Sequence, residues 1–543
     1  MLSYAHGAYI EPLLGETIGH NLERTVARVP DADALISCQQ GARYTYAEFG
    51  EAVDRLASGM LAGGLHKGDR VGVWSPNRAE WTLIQYATAK VGVILVNINP
   101  AYRVTELEYA LGQSGCRWLL ASQQLKDSNF VEMLEQVRPH LGELERVIFF
   151  ETPEWDELVA GDPDRREELR ALSDELDFDD PINIQYTSGT TGFPKGATLT
   201  HHNILNNGYF TGALLGYTER DSVCIPVPLY HCFGMVLGNL AATSSGACIV
   251  YPAETFEPEA TLRACAAERC TSLYGVPTMF IAQLDHPARA TLDLHLRTGL
   301  MAGSPCPVEV MKRVSSDMGV SEMGIAFGMT ETSPVTTQVR LDDTLENRCG
   351  TVGQAGPHVE VKIVDPLTGR TLPRGEPGEF HARGYVVMRG YWNDPERTAE
   401  AIDPGGWMHT GDLATMDDNG YVRIVGRIKD MVIRGGENVY PREIEEFLYT
   451  NPAVADVQVI GVPDERYGEE LMAWIVLRPG ATLTEEELRE FCRAQIAHFK
   501  IPRYVKFVDS FPMTVTGKVQ KFRMRETAID ELGLEQAAAV ATA

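Results

Sequence analysis

The most informative stretch of the sequence reads Ile182-Asn183-Ile184-Gln185-Tyr186-Thr187-Ser188-Gly189-Thr190-Thr191-Gly192-Phe193-Pro194-Lys195-Gly196. Ile182, Ile184 and Tyr186 alternate with polar residues, which predicts a strand. The glycines that follow let backbone amides approach phosphate oxygens, and the Ser and Thr hydroxyls add further donors. Lys195 adds a mobile positive charge. The stretch therefore predicts a phosphate-binding loop between a strand and a helix that Thr200 would cap.

This loop differs from the P-loop of nucleoside triphosphatases. Lys195 follows Pro194 and precedes Gly196, so the Gly-Lys-Ser/Thr ending of that motif is absent. A surface turn rich in Gly, Ser and Thr is the competing interpretation. The length of the continuous match favours the phosphate loop.

Composition limits the partners of the chain. Its 543 residues include 75 acidic and 48 basic side chains, which gives a formal net charge of −27. That charge repels nucleic acid and anionic membrane surfaces, although a local basic site can still bind a polyanion. The ten cysteines are scattered without C-x-x-C spacing, which predicts reduced, buried thiols.

Neither a leader nor a membrane span is expected. Residues 1–20 lack a basic segment followed by an apolar run. The apolar stretch 236–250 is interrupted by Gly, Asn and Ser, whereas a spanning helix needs about 20 mainly apolar residues. The sequence therefore predicts a cytoplasmic protein. Peripheral association with membranes and a homodimer stay open.

The first part of the chain has a βαβ rhythm. Strands are predicted at Arg70–Trp74 and 92–96, with a helix over Ala79–Val91 between them, and another strand follows at Trp118–Ala121. Such alternation predicts mainly parallel sheets with helices on both faces.

The pattern of predicted strands and helices changes twice further along the chain. In residues 352–424, short predicted strands alternate with turns that contain Gly and Pro, which predicts a β-barrel-like part. A compact α+β unit follows. The predicted fold is α/β plus α+β, with an N-terminal domain of layered subdomains over 1–428 and a small, mobile C-terminal domain over 429–543.

The phosphate loop resembles the signature motif of the adenylate-forming superfamily. This superfamily includes acyl-CoA synthetases, peptide-synthetase adenylation domains and beetle luciferases, and its other motifs follow in the expected order. The resemblance implies that a carboxylate and ATP form an acyl-adenylate and pyrophosphate, after which the acyl group passes to a thiol. ATP, Mg²⁺ and coenzyme A are the implied ligands.

The resemblance also implies which residues contact the nucleotide. Phe327 would stack near adenine, where the family usually has tyrosine, and Thr330 would contact the α-phosphate. Glu331 would hold Mg²⁺, although alone it reads as an ordinary surface carboxylate. Asp412 would bind the ribose hydroxyls, and Arg427 the ribose or phosphates. The complete implied set is Thr187, Ser188, Gly189, Thr190, Thr191, Gly192, Phe193, Pro194, Lys195, Gly303, Ser304, Phe327, Gly328, Thr330, Glu331, Asp412 and Arg427.

Later motifs imply a second step. Lys429 occupies the hinge position of the family, although a solvated pair with Asp430 competes with that role. Gly435 and Gly436 resemble the loop along the pantetheine tunnel, and a tight turn would also explain them. Lys518 resembles the lysine that neutralises charge during adenylation. The implied catalytic residues are therefore Lys518, Glu331, Thr330 and Lys195.

The acyl pocket is implied at His231, Tyr274, Gly275 and Val276. Amino-acid-activating relatives carry an Asp near His231, and its absence here argues against an ammonium-bearing substrate, since a buried ammonium needs a partner. His231 would be a pocket wall or gate, with a core histidine as the alternative. The pattern is most similar to medium- and long-chain fatty acyl-CoA synthetases. Aryl or other acids, a carrier-protein acceptor, a luciferase-like oxygenase and a non-catalytic binding protein are the alternatives.

Overall fold

The structure is a computed structural model that describes residues 1–187, 194–304, 306–435, 437–464, 466–493, 495–514 and 519–539. Its strands are β1 (Tyr4–His6), β2 (Asp33–Ser37), β3 (Ala42–Thr45), β4 (Arg70–Trp74), β5 (Ile94–Ile98), β6 (Trp118–Ala121), β7 (Gln124–Leu125), β8 (Ser128–Asn129), β9 (Arg146–Phe149), β10 (Pro181–Thr187), β11 (Lys195–Thr200), β12 (Ser222–Cys224), β13 (Cys248–Tyr251), β14 (Ser272–Gly275), β15 (Thr298–Met301), β16 (Glu322–Gly328), β17 (Val335–Gln338), β18 (Gln354–Ala355), β19 (Val359–Val364), β20 (Gly378–Gly384), β21 (Gly390–Tyr391), β22 (Met408–Met416), β23 (Val422–Arg427), β24 (Val432–Arg434), β25 (Glu437–Val439), β26 (Val454–Asp464), β27 (Gly468–Leu477) and β28 (Tyr504–Phe507).

The α-helices are α1 (Ile18–Arg28), α2 (Tyr46–Ala62), α3 (Ala79–Val91), α4 (Val104–Ser114), α5 (Phe130–Val137), α6 (Pro153–Ala160), α7 (Arg166–Glu175), α8 (His201–Leu214), α9 (Ala241–Ser245), α10 (Pro258–Ala267), α11 (Pro277–Asp285), α12 (Val308–Met318), α13 (Leu345–Gly350), α14 (Pro395–Ala401), α15 (Pro441–Leu448), α16 (Glu485–Arg493), α17 (Lys521–Leu532) and α18 (Glu535–Ala539). A π-helical segment spans Phe233–Leu240, and a 3₁₀ turn that matters below spans Thr330–Thr332.

The predicted βαβ rhythm is confirmed in a seven-stranded sheet of the described chain. Its order is β21-β11-β10-β5-β4-β6-β9, and the strands from β10 to β9 run parallel. Gly92 ends α3 in the left-handed conformation, with φ of 72°. Glycine adopts this conformation without strain and commonly ends helices. Strand β5 consequently begins at Ile94, two residues later than expected.

A nine-stranded sheet forms the second layer of the described residues, in the order β18-β17-β16-β15-β14-β12-β13-β2-β3. Its central strands are parallel. The largest hydrophobic cluster joins Leu35 of this sheet to Val71 and Leu95 of the seven-stranded sheet through buried residues of α2 and α3. The two sheets thus share one core across a helical layer, which is the layered α/β arrangement predicted.

The barrel-like part is a five-stranded half-barrel within the described residues, in the order β1-β19-β20-β22-β23. Two of its features were not predicted. Strand β1 comes from the N-terminus, where its three residues are too short to give a pattern. In contrast, β21 belongs to the predicted barrel range by sequence but pairs with β11 in the seven-stranded sheet.

The C-terminal residues form a separate sheet of the described strands β25-β24-β27-β26, with β28 beside β27. Its core includes Val432, Ile444 and Leu488. The last described residues form helix α18, and 540–543 lie outside the described residues.

Two expectations drawn from composition agree with the fold. All ten cysteines are free thiols, and nine of them are buried. None of the described helices is long and apolar enough to cross a membrane.

The aromatic stack of Phe130 on Trp74 tests the packing of the seven-stranded sheet. Both rings are fully buried, with centroids 3.8 Å apart and planes 8° from parallel. Phe130→Ala should lower the free energy of unfolding by about 3–5 kcal/mol, because it removes the ring and leaves a cavity. Urea unfolding of the purified chain measures the change. Leu367→Ala, at a side chain that is 96% exposed, should change it by less than about 0.5 kcal/mol. Similar losses in the two variants would contradict this account of the packing.

Candidate functional site

The ends of the predicted phosphate loop are held together by a hairpin. Thr187 closes β10 and Lys195 opens β11, and the two residues are antiparallel partners. Thr200 accepts a hydrogen bond from the Asn203 N–H and caps α8, as predicted. Pro194 directly precedes the return strand, β11. Outside the described residues lie six of the predicted contacts, namely Ser188, Gly189, Thr190, Thr191, Gly192 and Phe193.

Glu331 lies beside the loop end of this hairpin. It sits in the 3₁₀ turn that follows β16 and is only 6% exposed. Its Oε1 is 3.4 Å from the Thr187 hydroxyl and accepts a hydrogen bond from the Tyr391 hydroxyl at 2.9 Å. The structure thus brings together the loop strand and the acidic residue of the next motif.

Tyr391 also contacts the lysine of the loop. The ammonium of Lys195 lies 4.9 Å from the centroid of the Tyr391 ring, within the range of a cation–π interaction. Burial, followed by the nearby Glu331 carboxylate, raises the pKa of Tyr391, so its hydroxyl stays protonated as a donor. Tyr391 was missed in the sequence because its Gly-Tyr segment has no local pattern beyond a short strand.

Thr330 is linked to the loop strand through Cys232. The Cys232 thiol is fully buried and lies 2.9 Å from the Gln185 amide oxygen. Burial raises the pKa of Cys232 to about 12, against a smaller lowering by its hydrogen bond to Thr330. Cys232 is therefore a neutral thiol near the site and is unsuited to act as a nucleophile.

The predicted ribose residues form a second group. Asp412 is buried and faces Arg427 directly across β22 and β23. The Arg427 Nε donates to the Asp412 Oδ1 at 3.0 Å. The carboxylate of Asp412 raises the pKa of Arg427 most, and Glu331 adds to the effect. Glu331 thus interacts electrostatically with Arg427 of this pair.

The residues predicted to lie near adenine differ in burial and in backbone conformation. Phe327 is half-buried and meets the Phe380 ring edge-on at 5.4 Å. A Cβ at Gly328 would lie 1.7 Å from the Pro334 carbonyl oxygen, so only glycine fits there. Gly303 has φ of 89°, Ser304 is half-buried, and both follow the end of β15.

Two of the predicted acyl residues, Tyr274 and His231, contact the π-helical segment Phe233–Leu240. Tyr274 is fully buried, stacks on Phe233 at 5.5 Å and donates to the Leu237 carbonyl at 2.9 Å. It therefore positions this segment. Short π-helical stretches are frequent at functional sites.

Gly275 and Val276 continue from Tyr274, and His231 precedes the π-helical segment. Val276 is buried, with a methyl group 3.2 Å from where a Cβ of Gly303 would stand. A Cβ at Gly275 would lie 2.9 Å from the Phe280 ring. The His231 Nδ1 accepts from the Phe233 N–H at 3.1 Å, which fixes the ring at the start of the segment.

The predicted hinge and tunnel residues lie near the start of the C-terminal sheet. Lys429 is in the turn Ile428–Asp430 between β23 and β24. Gly435 has φ of 60°, and a Cβ there would be 3.0 Å from the Tyr467 ring. Gly436 and Lys518 lie outside the described residues.

These features define a chain built from a layered α/β part, a half-barrel and a small α+β part. Two models of known protein families match the chain. The model of the AMP-binding enzyme family matches residues 22–392, and the model of the C-terminal domain of AMP-binding enzymes matches residues 443–518. The chain belongs to the AMP-binding enzyme family.

Curated relatives cover nearly the whole chain. A medium-chain acyl-CoA ligase, ACSF2, mitochondrial, of Danio rerio is 46% identical over 98% of this chain and 91% of the relative. The putative acyl-CoA synthetase YngI of Bacillus subtilis (strain 168) is 47% identical over 96% of this chain and 99% of the relative.

Solved structures are similar over the same length. An anthranilate CoA ligase, AuaEII, in complex with anthranoyl-AMP matches with a TM-score of 0.84 at 26% identity, over 96% of this chain and 99% of that one. ATP-bound MatB from Rhodopseudomonas palustris matches with a TM-score of 0.81 at 30% identity, over 94% and 99%.

Removal of the Tyr391 hydroxyl tests whether Tyr391 positions Glu331. Tyr391→Phe should slow carboxylate-dependent release of pyrophosphate from ATP by about 10- to 100-fold, because a hydrogen bond to a charged group contributes about 1.5–3 kcal/mol. If Glu331 holds Mg²⁺, the apparent affinity for Mg²⁺ should fall as well. Tyr209→Phe is the matched control, since it removes a tyrosine–glutamate bond of 2.9 Å to Glu11 elsewhere. If both variants react at the same rate, Tyr391 does not position Glu331.

Proposed function

We propose that this chain is an ATP-dependent fatty acid–CoA ligase. A carboxylate and ATP give acyl-AMP and pyrophosphate, and acyl-AMP and CoA then give acyl-CoA and AMP. The observation that carries the proposal is the contact of Thr187 with Glu331, whose carboxylate also interacts electrostatically with Arg427 of the Asp412–Arg427 pair. The identity of 46–47% to a medium-chain acyl-CoA ligase and a putative acyl-CoA synthetase supports it.

In the first step an oxygen of the substrate carboxylate attacks the α-phosphorus, and pyrophosphate leaves with the electrons of the broken P–O bond. Phosphoryl chemistry of this kind relies on positioning and on neutralising charge rather than on a protein nucleophile. Lys195 and Thr330 are assigned to the phosphates. Asp412 and Arg427 are assigned to the ribose, and Phe327 to adenine.

Glu331 fits a Mg²⁺ ligand. Its carboxylate is buried, and the hydrogen bonds that it accepts from the Thr187 and Tyr391 hydroxyls both reach Oε1. Mg²⁺ prefers carboxylate and phosphate oxygens. When bound, Mg²⁺ would neutralise charge on the phosphates, and Glu331 would hold it against them.

In the second step the CoA sulfur attacks the acyl carbon, and AMP leaves. We assign residues 1–428 to the domain that holds the adenylate and residues 429–543 to a mobile domain that turns about Lys429. Gly435 and Gly436 would line the path of the CoA thiol. A few residues at the end of an element can absorb such a rotation.

The acyl pocket is assigned to His231, Tyr274, Gly275 and Val276 beside the π-helical segment. Apart from Asn239, the buried side chains of that segment, among them Phe233 and Met235, are apolar. An apolar wall favours an aliphatic chain over an amino acid, whose ammonium would need a buried carboxylate. Medium-chain acids are the first candidates, since ACSF2 relatives are named for them. We place the enzyme in the cytoplasm, although the ACSF2 relatives are mitochondrial by name.

A substrate panel tests the proposed function. Purified chain is incubated with ATP, Mg²⁺ and CoA and with saturated acids of increasing length, benzoate and anthranilate. We expect AMP and acyl-CoA in equal amounts, with the highest kcat/KM on medium-chain acids. Highest activity on the aryl acids would reassign the substrate. Adenylate that forms without thioester would indicate a carrier-protein acceptor, and no pyrophosphate with any acid would contradict the enzyme function.

The role assigned to Lys518 separates the two steps. Lys518→Ala should slow adenylate formation by about 100-fold or more, since it removes a cation that stabilises the transition state. Thioester formation from supplied acyl-AMP should change by less than about threefold, well under one decade of rate. Rapid-quench assays of each step measure both rates. Lys506→Ala, at a lysine paired with Glu531, is the control in the same part of the chain. Equal losses in the two steps would contradict the assignment.

A further inference from the structure

A cluster of two histidines and one glutamate lies on the half-barrel, outside the nucleotide site. Glu379 and His381 lie on β20, and His409 lies on β22 directly opposite His381. The ligand atoms of the three side chains lie within 4.8 Å of one another. Nothing in the proposed reaction uses this cluster.

Glu379 and His381 are at hydrogen-bond distance, and the spacing of the three side chains also fits the ligands of one metal ion. The Glu379 Oε2 is 3.0 Å from the His381 Nε2 and 3.6 Å from the His409 Nδ1. Ligands about 2.0–2.1 Å from a tetrahedral Zn²⁺ stand about 3.3 Å apart, between these two distances. One oxygen thus faces two ring nitrogens, which a bridging cation would satisfy together.

A metal ion binds the ionised form of a carboxylate and the neutral form of an imidazole. Two other charged groups face the cluster. Lys362 is the partner of His381 on β19, and Asp403 interacts electrostatically with His409.

The surroundings orient the ligands and leave a route to solvent. The Gly411 N–H donates to the Glu379 Oε1 at 3.2 Å, which leaves Oε2 directed at the histidines. Such hydrogen bonds to the rear of a ligand are typical of metal centres. The His381 side chain is 4% exposed, and its Nδ1 has no hydrogen-bond partner among the described residues. The His409 side chain is 37% exposed, so a metal ion has access.

We propose that Glu379, His381 and His409 form a binding site for a divalent transition-metal ion of the Zn²⁺ class. Two imidazole nitrogens and one carboxylate suit Zn²⁺, Co²⁺ or Ni²⁺, whereas Mg²⁺ prefers oxygen ligands, so this site is distinct from Glu331. Three protein ligands leave a further position for water. The bound ion cross-links β20 to β22 at the base of the bulge that carries Asp412.

Calorimetric titration of Zn²⁺ into the metal-free chain, without nucleotide, tests the site. The unmodified chain should bind one equivalent at this site. His381→Gln and His409→Gln should each weaken it by at least about 100-fold, since changing even the partners of metal ligands costs 10–100-fold. His295→Gln, at a histidine paired with Asp293 on another surface, should bind as the unmodified chain does. Binding that both cluster variants retain would overturn the proposal.

Co²⁺ spectroscopy on the unmodified chain gives a second readout that does not depend on the variants folding. Visible d–d bands without a thiolate charge-transfer band are expected for nitrogen and oxygen ligands. A thiolate band would place the ion instead at the buried cluster Cys224, Cys265 and Cys270 and would overturn the proposal. Zn²⁺ should also raise the unfolding temperature of the unmodified chain but not of folded His381→Gln, because an ion stabilises only the state that binds it.

Discussion

The buried carboxylate of Glu331 is the contact on which the candidate site depends. Thr187 reaches it from the end of β10 and Tyr391 from β21, two strands that flank β11 in the seven-stranded sheet. Glu331 itself follows β16 of the nine-stranded sheet. A carboxylate removed from water needs compensating partners. Within the described residues the hydrogen bonds to its carboxylate come from two neutral hydroxyls, and under the proposed function a cation held against the phosphates would supply the compensating charge.

Under the proposed function, local charge rather than net charge would fit this site to a nucleotide. The chain carries a formal charge of −27, which would repel a triphosphate. Lys195 is held over the Tyr391 ring, and Arg427 is held by Asp412. Positive groups fixed at a partly buried site act more strongly than mobile ones in water. The acidic surface therefore limits which partners approach, while a few fixed cations determine what binds.

Sequence patterns predicted those features that local interactions determine. The bounds of β4, α3 and β6 were predicted because their apolar periodicity is strong, and Gly92 marks the end of α3. The contact of Thr187 with Glu331 and that of Asp412 with Arg427 agree with the order of the motifs. Tyr391 could not be found this way, since it lies 60 positions from Glu331 and its strand joins a sheet other than its sequence neighbours do. Only the three-dimensional fold brings it to the site.

A bulge in β22 connects the nucleotide site to the half-barrel. Between the pairs Glu379–Leu413 and His381–His409, one residue of β20 faces three of β22, and Asp412 is the last of those three. Gly411 takes φ of 70° within the bulge, a conformation that other residues rarely adopt. Its N–H is held by Glu379, so the carboxylate that orients the histidines also fixes the backbone next to Asp412. Because bulges re-aim side chains and are sensitive to their pairing, the position of Asp412 and the state of the Glu379 cluster are linked through two peptide units of one strand.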